Sequence, residues 1–125
     1  RILGPLLLLL SACDGGVPAE VPPGFWGGDA VLTVGGDTSR FVSGCLLVSL
    51  PSQIVLDDAG RFSLPVTLHW IAPVDRSEPG RVDGHLARRG LTLTLAQDQA
   101  EEELGTFLLK RGAPIPVDGC MLVAR

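Results

Sequence analysis

The chain has 125 residues, a formal net charge of −4 and a hydrophobic fraction of 46%. That length accommodates one domain and not two. Ten Lys and Arg stand against 14 Asp and Glu, with no basic run after Arg1, so the electrostatic footprint of a nucleic-acid binder is absent.

Ile2 to Leu10 is apolar and follows an arginine. Nine residues make a helix of about 14 Å, whereas a bilayer core needs about 20 residues, so this run cannot span. A short apolar run between a positive charge and small residues reads as the end of a secretion signal. With no Met ahead of Arg1, that signal, residues 1–12, is expected to start upstream.

Leu10-Ser11-Ala12-Cys13 follows at once. This tetrapeptide resembles the lipobox of bacterial lipoproteins. The resemblance implies cleavage between Ala12 and Cys13 and a covalent lipid on the Cys13 sulfur. It also implies acylation of the new amino terminus, since several chains hold a membrane where one is marginal. Residues 13–24 then read as the lipidated cysteine and a flexible tether rich in Gly and Pro. The domain proper is expected over 25–125.

Phe25-Trp26-Gly27-Gly28 opens that domain. An early Trp is similar to the G-x-W motif of lipocalin-like and avidin-like barrels, where it plugs one end. Trp26, and Trp70 further on, are therefore the candidates for a barrel plug or a ligand contact. Gly27 and Gly28 are expected in a turn or bulge.

From there short apolar runs alternate with turn signals. Strands are predicted over 30–34, 40–50 with a break or bulge at Gly44, 53–56, 61–71, 81–87, 91–96, 104–110 and 120–124. Residues 73–80 read as a polar loop, and 96–104 as either a nine-residue helix or a polar hairpin loop. Asp57-Asp58-Ala59-Gly60 is a turn in which Asp bonds its own backbone.

Alternation is clearest in 61–71, where Phe62, Leu64, Val66, Leu68 and Trp70 share one face and Ser63, Pro65, Thr67 and His69 the other. Pro65 is tolerable there only if its missing N–H faces an edge or a bulge. One buried face per strand and no crossover helices give an all-β fold. The expected architecture is a small antiparallel up-and-down barrel of about eight strands, lipocalin- or avidin-like, with a β-sandwich as the alternative.

Three cysteines occur. If Cys13 takes lipid, Cys45 and Cys120 remain, an even pair in an exported chain and thus a predicted disulfide. A metal would want more ligands than His69 and His85 supply, so no metal site is expected. Were the strands of His69 and His85 paired, His69, His85 and Asp83 could meet on the outer face. No G-x-S-x-G or H-E-x-x-H pattern supports a catalytic role for them, and no catalytic residue is assigned. Glu101 to Glu103 reads as a solvated charge run.

The elements after the tether are similar to those of small bacterial lipoproteins of unknown function. Trp26-Gly27-Gly28, Cys45, Asp57 to Phe62, Val82-Asp83-Gly84, Leu91 to Leu95, Gly105 to Leu109 with Arg111-Gly112, and Cys120 carry the likeness. It implies fold rather than activity. The expectation is a non-catalytic cell-envelope lipoprotein, held outside the cytoplasm by its lipid and carrying no other cofactor. Its domain would bind an envelope protein or ligand. The alternatives are a lipocalin-like carrier of a small apolar ligand and, less well supported by the residues, an envelope hydrolase.

Overall fold

A computed structural model describes residues 19–98, 103–115 and 120. The predicted leader 1–12, Cys13 and residues 121–124 of the predicted last strand lie outside the described residues.

Eight antiparallel strands form the fold: β1 (Gly24–Gly28), β2 (Val31–Val34), β3 (Ser39–Ser43), β4 (Leu46–Leu50), β5 (Arg61–Trp70), β6 (Arg76–Ala87), β7 (Gly90–Gln97) and β8 (Glu103–Arg111). Each pairs with the next in sequence, and β1 pairs with β8 through Trp26↔Arg111, Gly27↔Lys110 and Gly28↔Leu109. The sheet is therefore a closed up-and-down barrel, and the sandwich alternative falls. Closure leaves neither a first nor a last strand exposed as an edge.

The strands are not all those expected. Residues 40–50 form two strands, because Gly44 adopts φ 58° and turns the chain so that Ser43 pairs with Leu46. Residues 53–56 make only an isolated bridge, Val55 to Glu20. The supposed loop 73–80 is already strand from Arg76 onward. Ala96 and Gln97 belong to β7 and Glu103 and Leu104 to β8, so both ends of the predicted helix 96–104 are strand.

β1, absent from the predicted strands, pairs with β8 and closes the barrel. Its Gly27 is no turn residue. A Cβ there would lie 2.2 Å from the Ala113 carbonyl oxygen, so only glycine lets the chain after β8 pass back across β1. Residues 19–23, assigned above to the tether, also lie on the barrel. Val21 is fully buried and its N–H bonds the Ile54 carbonyl at 2.9 Å, while Leu56 N–H bonds Ala19 at 2.8 Å.

The interior follows the period of two. Phe62 and Leu68 of β5, Val82 of β6, Leu91, Leu93 and Leu95 of β7, and Leu109 of β8 are buried, and Leu64 and Val66 pack against them. Phe41 meets Phe107 edge to face at 5.2 Å between centroids. Two inward positions of β6 are glycine. The Phe62 ring covers Gly84 and the Leu68 side chain covers Gly80, so a Cβ at either would lie 2.1 or 2.5 Å from its neighbour. Those glycines are the room into which the large β5 side chains fit.

We call the end with the β4–β5 connection the lower end and the end with the β3–β4 turn the upper end. Val21, Ile54 and Leu56 close the lower end. There Asp57 organises the hairpin turn: its carboxylate accepts N–H bonds from Ala59 at 2.8 Å and Arg61 at 2.9 Å. The Arg61 backbone N–H is the main reason its carboxyl is held below the ordinary value of 3.8. A lowered carboxyl pKa stabilises the fold at pH above the ordinary value, and that contribution disappears as pH falls through the lowered one. Titration followed by carboxyl chemical shift should place Asp57 below 3.8. Asp57→Ala should flatten the acid limb of the stability profile. An unchanged limb would contradict the assignment.

Candidate functional site

One gap in the barrel wall lies between β4 and β5. Those strands pair at Leu46↔Trp70, Leu47↔His69 and Val48↔Leu68, and there the ladder stops, although β5 runs on to Arg61. Ile71 N–H bonds the Cys45 carbonyl at 3.0 Å, so odd-numbered residues of this segment present their backbone groups toward β4. Pro65 is one of them and lies beyond the end of the ladder. Its missing N–H thus points to the unpaired side, the condition its place in a strand requires.

Where the strands part, an open groove of about 800 Å³ runs along the outer wall, lined by Arg40, Leu47, Ser49, Pro65, Thr67 and His69 among others. Arg40 comes from β3, where alternation sends it outward between buried Ser39 and Phe41. Pro65 and the nearby arginine blunt this short edge against pairing with another sheet. A polar ligand or a protein surface could be held here by one guanidinium, an imidazole and the three hydroxyls of Ser49, Thr67 and Ser77.

The histidines do not come together. β5 and β6 do pair, but in a register that sets His85 opposite Arg61 and His69 opposite Ser77. Eight residues of strand, about 26 Å, separate the two. Asp83 and His85 instead line a second outer cleft of about 350 Å³ with Ser63, Thr92 and Thr94. The Ser63 hydroxyl accepts a bond from Arg81 at 2.8 Å, so it is committed to the wall.

His69 has a different carboxylate partner, missed in sequence. Its Nε2 lies 2.8 Å from Asp75 Oδ1, because the 71–75 connection returns the chain beside it. Ser77 sits directly across the ladder. The side chain of Asp75 is 75% exposed and that of His69 38%. A triad activates its serine through a desolvated, oriented base facing an oxyanion hole, and this is a bond in water at the rim of a groove. The nearest sequence signal was the six-residue spacing of a His and an Asp about an Ala-Pro turn, which is too common to single out. Among the described residues no three His, Cys, Asp or Glu stand close enough to hold a metal ion.

The tryptophans occupy opposite ends. Trp26 is buried among the core side chains and donates its indole N–H to the Pro22 carbonyl at 3.0 Å. Trp70 is half-buried at the upper end under the Arg76 guanidinium, 4.2 Å from the ring centroid, and Arg76 pairs with Glu78. Neither ring faces one of the two outer clefts.

Cys45 and Cys120 form a disulfide, with Cα atoms 4.8 Å apart and a sequence separation of 75. Cys45 belongs to the β3–β4 turn, so the bridge ties the end of the chain to the upper rim. Compared with protein-family models, curated proteins and solved structures, the chain matches none.

Proposed function

We propose that this protein is a non-catalytic bacterial envelope lipoprotein, anchored through Cys13, whose barrel is a binding or interaction module that takes its partner on the outer wall. The observation that carries this reading is the pairing of the cysteines. Cys45 and Cys120 are joined, as befits an oxidising compartment outside the cytoplasm. The third cysteine is the one behind an apolar leader in Leu10-Ser11-Ala12-Cys13. A thiol there is the nucleophile that diacylglycerol transfer needs.

The choice of wall over interior rests on packing. A carrier needs a hollow, and eight strands enclose little more than their own side chains. Here Phe62 and Leu68 lie against the backbone of Gly84 and Gly80. That favours a filled core and disfavours the carrier. The distance between the histidines disfavours a hydrolase built on them.

Metabolic labelling with a fatty acid tests the anchor. The wild-type protein should incorporate label and fractionate with membranes. Cys13→Ser should lose both, with the fold unchanged. Equal labelling of the two would end the lipoprotein reading.

A further inference from the structure

We infer that the lower end of the barrel is a membrane-docking face, with Phe25 and Val55 seated in the lipid interface. This rests on the anchor proposed above and adds to it an orientation and a contact surface.

The chain enters the domain at that end. Ala19, Glu20 and Val21 are fastened to the 53–56 segment by the two backbone bonds already described and by Gln53 Nε2 donating to Glu20 Oε2 at 2.8 Å. Only Asp14 to Ala19 separates the anchor cysteine from this fixed point. Six residues reach at most about 20 Å when fully extended. A lipid on Cys13 therefore keeps the lower end close to the headgroups, and the upper end a barrel's length away.

Two large apolar side chains stand exposed beside this entry point, Val55 at 66% and Phe25 at 58%. Val55 is the bridge partner of Glu20, and Phe25 follows the Pro22-Pro23-Gly24 turn into β1. Single exposed apolar residues are common on any surface. What distinguishes these two is that the short tether holds them beside the membrane surface in which the lipid is inserted, where burying them costs no extra search. Aromatic and aliphatic side chains gain free energy at a bilayer interface in proportion to buried apolar area.

Charge points the same way. At the lower end Arg61, Arg88, Arg89 and Arg111 offset Glu20, Asp37, Asp57 and Asp58. At the upper end the acids Asp29, Asp75, Glu78, Asp98 and Glu103 outnumber Arg76 among the described residues. An anionic leaflet therefore repels the upper end more than the lower, and arginines near the surface are attracted to it.

Val74 provides an internal control. It is 65% exposed, apolar like Val55, and sits in the β5–β6 connection at the upper end. The test uses the full-length protein, purified from membranes after fatty-acid labelling and reconstituted into vesicles of anionic and zwitterionic phospholipid with brominated acyl chains. Tryptophan is placed by Phe25→Trp, Val55→Trp or Val74→Trp, all outward positions, against the constant background of Trp26 and Trp70. The added emission at 25 and at 55 should shift to the blue and lose most of its intensity to bromine. That at 74 should stay unshifted and unquenched. If labelled protein shows equal quenching at all three positions, or none at 25 and 55, the docking face is wrong and the anchor stands. If the protein carries no label, anchor and docking face fall together. Val55→Trp lies in a connection outside every strand, so it decides the matter even if the β1 substitution perturbs folding.

Discussion

Gly84→Ala should destabilise the barrel strongly. The new Cβ would lie 2.1 Å from Phe62 Cε2 and 2.5 Å from Cζ, deep inside any contact distance. The β6 backbone cannot retreat, because it is paired on both sides, to β5 and to β7. Overpacking of this kind costs about 1–3 kcal/mol and sometimes more, and the clash falls on a ring, so the upper part of that range is expected. A domain of this size has about 5–15 kcal/mol of stability in all. Urea unfolding should therefore show a clearly lower midpoint at unchanged slope. Phe62→Leu in the same chain should restore part of the loss, because it removes the ring atoms that meet the methyl. Two residues in contact are coupled, and the double variant should be more stable than the sum of the single effects implies. A neutral Gly84→Ala would mean that the interior has space above that glycine. The carrier reading, which the packed core disfavours, would then regain its ground.

Loss of the Cys45–Cys120 bridge should have the largest effect of all. It closes a loop of 75 residues. Constraint of the unfolded chain by a loop of that length is worth about 4 kcal/mol in the chain-entropy account. For a domain of about 100 residues that corresponds to a melting temperature lower by about 15 °C or more. The double serine variant and the reduced wild type should melt together, since both lack the same link. Both should keep the barrel, because β8 closes on β1 by its own ladder and the bridge lies at the rim. Equal melting of oxidised and reduced wild type would remove the bridge from the account of stability.

Alternation told most of what the sequence could tell. Phe62 to Trp70 and Leu91 to Leu95 are legible because one face of each strand is buried and the next residue is not. β1 was invisible by the same rule. Its sequence, GFWGG, has two inward-capable residues at most, and glycine is a poor strand former by propensity. It is a strand because β2 and β8 lie on either side of it and the returning chain needs Gly27 bare. Gly44 was visible as an irregularity but not as a turn, since a bulge and a two-residue hairpin ask the same freedom of one glycine. Residues 53–56 have the composition of a strand and serve instead to close the lower end, with Ile54 and Leu56 inward.

The outer wall was less legible than the core. That His69 and His85 share the polar side of neighbouring strands is visible in the sequence. Their separation is a matter of register, which a β5–β6 hairpin of this length sets at its turn. The groove beside Pro65 arises because β4 has five residues and β5 ten, a mismatch that only correct strand ends reveal. Pro65 was the one hint of it, since a proline in an otherwise regular strand asks for an unpaired neighbour.

All three cysteines carry the account, and the intact mass of the protein extracted from bacterial membranes reads them together. The expected species begins at Cys13, carries the mass of a diacylglycerol and a further acyl chain, and lacks the thiol hydrogens of Cys45 and Cys120. A chain that begins at any other residue, with Cys13 unmodified or removed, would contradict it.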